Sequence, residues 1–123
     1  MAKKTIMIVD DGLHIIDVVK MILEKSGYNV ATANSAEEAL KKLEKGKVDL
    51  ILLDAVMPNM SGFDLIQRLR QNKKTRNIKV AFLTILNFSR EQKERLKRYD
   101  VSDYIQKPFE KEDLLRRVKN IVG

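Results

Sequence analysis

Three runs of apolar residues that do not alternate with polar ones constrain this chain most: TIMIVD (Thr5 to Asp10), VDLILLD (Val48 to Asp54) and KVAFLT (Lys79 to Thr84). A strand with one wet face alternates apolar and polar side chains. A continuous run needs cover on both faces, as in a parallel sheet flanked by helices. Two more mixed stretches, YNVATA (Tyr28 to Ala33) and SDYIQK (Ser102 to Lys107), read as edge strands.

Helical spacing fills the gaps between these strands. Ile15, Ile16, Val18, Val19, Ile22 and Leu23 form a broad stripe that ends at Gly27, as expected of a helix packed on a sheet. NSAEEALKKLEKG carries Ser35 and Glu38 in capping-box spacing, with Ala39, Leu40 and Leu43 as its buried side and Gly46 at its end. Phe63, Leu65, Ile66 and Leu69 mark a third helix, and Leu114, Leu115, Val118, Ile121 and Val122 mark the last. SREQKERLKRYD offers only Leu96 and Tyr99 as anchors, which predicts a weakly attached fourth helix. The order βαβαβαβαβα implies one parallel sheet with right-handed crossovers and helices on both faces.

A length of 123 residues with 44% hydrophobic and 33% charged composition fits one globular core. The absence of cysteine excludes disulfide scaffolds and thiolate metal sites. The apolar run after Lys3 and Lys4 is too short for a signal peptide or a membrane span, so a cytoplasmic protein with no membrane insertion is expected. A net charge of +7 is compatible with nucleic acid, an anionic membrane or an acidic protein, depending on where the charge lies.

Ligands of open α/β sheets bind beyond the carboxyl ends of the strands. Asp10 and Asp11 close the first strand, Asp54 the third, Thr84 the fourth and Lys107 the fifth. Three carboxylates meeting there would repel by roughly 4 kcal/mol per pair at about 4 Å and an effective dielectric near 20, so a proton or a cation must relieve them. All-oxygen donors favour a hard divalent ion, Mg²⁺ above all when phosphate oxygens share the sphere. A carboxylate can accept a phosphoryl group, with Lys107 and the Thr84 hydroxyl placed to hold it. Spacing alone does not single out which aspartate accepts.

The fragments IVDD, LLDAVMPNMSG, AFLT and DYIQKPF, in this order and spacing, resemble the receiver domain of two-component response regulators. The resemblance covers residues 1–123 as a single domain. It implies the flavodoxin-like strand order 2-1-3-4-5 of the doubly wound fold. It implies Asp54 as phosphoacceptor, and Asp10, Asp11, Asp54 and the Val56 backbone carbonyl as Mg²⁺ ligands. Lys107 would pair with the phosphoryl group, Thr84 would move toward it, Tyr104 would be the aromatic switch, and the Lys107–Pro108 bond would be cis.

Some positions depart from that pattern. Ile85 adds bulk beside the phosphoryl site, where Ala or Gly is usual. Val56 and Leu86 are apolar where phosphate loss is tuned, which predicts slow autodephosphorylation. Asp100 and Val101 replace the usual Gly-Ala, and the turn can survive the loss of glycine because Asp tolerates the left-handed region better than most residues. His14 reads as a helix-surface histidine, Met57 and Met60 as packing residues, and Gly62 as turn chemistry. RLRQNKKTRNIK and REQKERLKR read as solvated faces, the second with Glu91–Arg95 and Glu94–Arg98 pairs.

The expected function is that of a stand-alone response regulator, not a conventional enzyme. A histidine kinase would phosphorylate Asp54, and a downstream protein would read the surface made by the fourth helix, fifth strand and fifth helix. Alternatives are a phosphorelay intermediate, or a basic α/β module binding nucleic acid or serving as a scaffold with a silent site. A nucleic-acid partner is not the expectation, and a monomer or weak homodimer is.

Overall fold

The computed structural model describes residues 3–123. Five strands alternate with five helices: β1 (Thr5–Val9), α1 (Leu13–Lys25), β2 (Asn29–Ala33), α2 (Ala36–Lys45), β3 (Leu50–Leu53), α3 (Gly62–Gln71), β4 (Lys79–Thr84), α4 (Arg90–Leu96), β5 (Val101–Gln106) and α5 (Lys111–Val122). The strands form one parallel sheet in the order β2-β1-β3-β4-β5. The fully apolar runs are therefore the three central strands, and the two mixed stretches are the edges, as their composition requires.

Alternation along each strand divides the core into two layers. Met7, Val9, Ile51, Leu53, Val80 and Phe82 pack with α2, α3 and Leu96 of α4. Ile6, Ile8, Leu50, Leu52, Ala81 and Leu83 pack with α1 and α5. Leu96 is the single buried residue of α4, which matches the weak anchoring expected of that helix.

Local caps are richer than the spacing predicted. Ser35 accepts a hydrogen bond from the Glu38 amide at 3.0 Å, but Glu38 reaches back to the Asn34 amide, one residue before the cap. Complete capping boxes instead begin α3, with Ser61 and Asp64, and α4, with Ser89 and Gln92. On α4, Glu91 pairs with Arg95 as expected, whereas Glu94 takes Lys97 and Arg98 lies over the Tyr99 ring.

Asp100 does adopt the left-handed conformation, with φ 54°, and leads directly into β5. The turn is held by Arg70, whose guanidinium donates to the carbonyls of Tyr99 (2.7 Å), Arg76 (3.1 Å), Ile78 (2.6 Å) and Asp100 (3.3 Å). Burial pulls this guanidinium below the ordinary arginine value, and the Asp100 charge partly offsets the effect. Arg70→Ala strands the half-buried carbonyls of Tyr99 and Ile78, and a cost of about 3 kcal/mol is expected, measured as a fall in thermal midpoint of roughly 10 °C.

One irregularity sets the face of the last strand. The register runs Val80↔Val101 and then Ala81↔Asp103, so Ser102 is an extra residue in β5. The bulge lets Val101 and Tyr104 share one face although an odd number of steps separates them. Tyr104 thereby pairs with Phe82, and Asp103 turns to Arg117 of α5.

Candidate functional site

Backbone hydrogen bonds carry the sheet ladder past the strand ends, so the rim side chains are placed by the sheet itself. The Asp10 amide donates to the Ala33 carbonyl at 3.1 Å, the Asp54 amide to Val9 at 2.9 Å and the Lys107 amide to Thr84 at 2.8 Å. Strands 1, 3, 4 and 5 therefore deliver Asp10, Asp54, Thr84 and Lys107 to a single edge.

Carboxylate oxygens of Asp10, Asp11 and Asp54 lie within 4.8 Å of one another. Asp10 is 4% and Asp54 8% exposed, while Asp11 faces solvent. The Lys107 ammonium sits 2.6 Å from Asp10 Oδ2 and 3.6 Å from Asp54 Oδ2. It therefore bridges the two buried acids, with the shorter contact to Asp10. The remaining oxygens are steadied locally: the Gly12 amide donates to Asp10 Oδ1 at 2.9 Å and the Val56 amide to Asp54 Oδ1 at 3.2 Å. The Lys107–Pro108 peptide is cis.

Three acids against one ammonium leave two negative charges in a half-dry space. At 4.8 Å and an effective dielectric of about 20, each carboxylate pair repels by about 3.5 kcal/mol. An all-oxygen donor set of this charge fits a hard divalent cation such as Mg²⁺. Mg²⁺ at 100 times its dissociation constant is expected to stabilise the protein by about 2.7 kcal/mol, read as a rise in thermal midpoint of several degrees. Sodium chloride at equal ionic strength producing the same rise would refute a specific site.

Beside this cluster, buried Thr84 receives the Leu86 amide on Oγ1 at 3.3 Å. A cavity of about 100 Å³ separates Thr84 from Tyr104 and is also lined by Phe88 and Lys93. The half-buried Tyr104 ring stacks on Phe82 at 5.9 Å, meets Phe88 at 4.9 Å and carries the Lys93 ammonium at 5.1 Å. Burial raises the Tyr104 pKa. The Lys93 contact joins α4 to β5 and had no sequence signal, because only the packing of that helix creates it.

Ile85 is 68% exposed and so is not packed into the acidic cluster. His14 is an exposed residue of α1, and Met57 is buried in the first core layer, with Met60 packed against it. Gly62 is not turn chemistry but the first residue of α3, which packs directly on the Asp54 backbone. The detectable signal was its place immediately after the Ser61 cap.

Comparison with known proteins agrees with this geometry. A family model described as "Response regulator receiver domain" matches residues 6–119. The alkaline phosphatase synthesis transcriptional regulatory protein PhoP of Bacillus subtilis is 37% identical over 97% of this chain and 48% of its own length. The chain spans about half the length of the curated relatives it matches. Chemotaxis protein CheY4 of Vibrio cholerae superposes with a TM-score of 0.90 at 32% identity, covering 98% of this chain and 99% of that one. The receiver domain of sensor histidine kinase PA1611 from Pseudomonas aeruginosa, solved with a magnesium ion coordinated in its active site cleft, gives a TM-score of 0.85 at 25% identity over 99% of both chains. Among the described residues, no helix is long and apolar enough to cross a membrane. A family match across nearly the whole chain, on the strand order that brings these acids together, places this protein in the response regulator receiver domain family of two-component signalling.

Proposed function

We propose that Asp54 is the phosphoacceptor of a signalling switch. The observation that carries this reading is the convergence of Asp10, Asp11 and Asp54 within 4.8 Å, with the Lys107 ammonium 3.6 Å from Asp54. An Asp54 oxygen attacks the phosphorus of a phosphohistidine on a partner kinase. The P–N bond breaks, and its electron pair stays on the imidazole, which takes up a proton. Lys107 offsets the charge of the transferred group, and the Thr84 hydroxyl donates to one of its oxygens. Bound by Asp10, Asp11, Asp54 and the Val56 carbonyl, Mg²⁺ would neutralise the phosphoryl oxygens. The protein catalyses only its own phosphorylation and dephosphorylation, in a cytoplasmic setting.

The charge change is transmitted through neighbours of Thr84. When Thr84 turns toward the phosphoryl group, the space beside it becomes available to Tyr104, whose ring leaves Lys93 and loosens α4 from β5. The surface of α4, β5 and α5 then presents a different face to a downstream partner. Relatives about twice as long and named as transcriptional regulators support a second route, in which a further part of the same polypeptide reads that surface. Those relatives also remove the ground for excluding nucleic acid as an eventual target.

The test is incubation with acetyl phosphate and Mg²⁺ followed by intact mass measurement. One phosphoryl adduct, absent with EDTA and mapping to the peptide that holds Asp54, is expected. No adduct under forcing conditions overturns the proposal. Slow loss is also expected, because Val56 is 51% and Leu86 37% exposed and neither can orient a water. A time course after removal of acetyl phosphate reads this directly, and decay complete within seconds would contradict it.

A further inference from the structure

The charge surplus of this chain has a definite address. Residues 68–79 hold six arginines and lysines and no acid, against a net charge of +7 for the whole protein. Arg70 is consumed by backbone carbonyls, and Lys79 donates to the Ile121 carbonyl. Lys73 and Lys74 instead line a groove of about 490 Å³ together with Lys45 and Lys47 from the end of α2 and the loop after it. Glu44 is the one acid there. Among the described residues, the ion pairs involve other cations, chiefly on α4 and α5, so these four lysines face the groove without a carboxylate partner. Leu43, Val48 and Ile78 also line it, and a second hollow of about 240 Å³ continues it past Arg68.

We propose that this groove docks an acidic polypeptide segment that carries an apolar side chain. Exposed lysine ammonium groups around an apolar lining complement alternating carboxylates and aliphatic side chains, and charge of one sign steers such a segment inward. A nucleic-acid backbone fits less well. It would satisfy the lysines but leave the half-buried Val48 and Ile78 wet, and the groove has no aromatic ring for base stacking. Val48 and Ile78 precede β3 and β4, whereas Asp54 and Thr84 follow or end them, so the groove lies at the opposite edge of the sheet from the acids. Docking is therefore separable from phosphorylation.

The experiment uses the full chain and fluorescence anisotropy at low salt. Its probes are a labelled synthetic peptide of alternating glutamate and leucine, the same peptide with serine for leucine, and a labelled DNA duplex. The glutamate–leucine peptide is expected to bind, and Lys45→Glu with Lys74→Glu to weaken it by about tenfold or more. The serine peptide should bind markedly more weakly. No binding, binding unaffected by the reversed charges, equal binding of the serine peptide or tighter binding of DNA would each overturn the proposal. The double variant should keep its thermal midpoint and its acetyl phosphate adduct, which separates lost docking from lost folding.

Discussion

Asp54→Asn is expected to take up no phosphoryl group from acetyl phosphate and, in EDTA, to be more stable than the parent by about 1 kcal/mol. The loss of the adduct follows from the loss of the nucleophilic oxygen. The gain follows from electrostatics: removing one of three acids within 4.8 Å relieves two repulsive pairs. The asparagine carbonyl can still accept from the Val56 amide, and Lys107 retains its 2.6 Å contact with Asp10. The net figure is well below the raw repulsion because the 3.6 Å contact between Lys107 and Asp54 is weakened as well. Thermal melts in EDTA and in Mg²⁺ measure both halves, since Mg²⁺ should stabilise the parent more than the variant. A variant that still gains phosphate, or that melts lower in EDTA, would remove the ground for the assigned site.

Gly62→Ala is expected to destabilise the protein by about 3 kcal/mol, at the upper end for overpacking, and to slow phosphorylation of what remains folded. A Cβ at this position would stand 2.2 Å from the Asp54 carbonyl oxygen and 2.8 Å from Ala55 Cα. Both are backbone atoms, so no side chain can swing aside. Either α3 retreats or the end of β3 moves, and the second outcome displaces Asp54. The Gly62 amide also donates to the Ala55 carbonyl at 3.0 Å, which ties the helix to that loop. Intrinsic propensity predicts the opposite sign, since alanine in an open helix gains about 1 kcal/mol over glycine. A fall in thermal midpoint of roughly 10 °C supports the close approach, and a rise would exclude it.

Much of this was legible in the residues. The non-alternating runs gave away the central strands because a strand covered on both faces has no position that tolerates a polar side chain, and the mixed runs marked the edges for the converse reason. The rim residues were legible because a parallel sheet aims every strand end at the same edge. The weak hold on α4 was visible as a shortage of apolar residues, and Leu96 is the anchor it found. Gly62 was misread because a glycine between turn residues carries no sign of what its missing Cβ would strike.

Local pattern along the chain thus determined the element order, the parallel sheet and the five rim positions, since period, capping and strand composition are properties of neighbours in sequence. Tertiary structure alone decided the rest. The bulge at Ser102 aims Tyr104 at Phe82, Lys107 leans toward Asp10, and Arg70 closes four carbonyls from two loops. The lysines of residues 45–47 and 73–74 gather around one groove. Each is a contact between segments far apart in the chain, whose partners are chosen by packing distance and desolvation rather than by spacing.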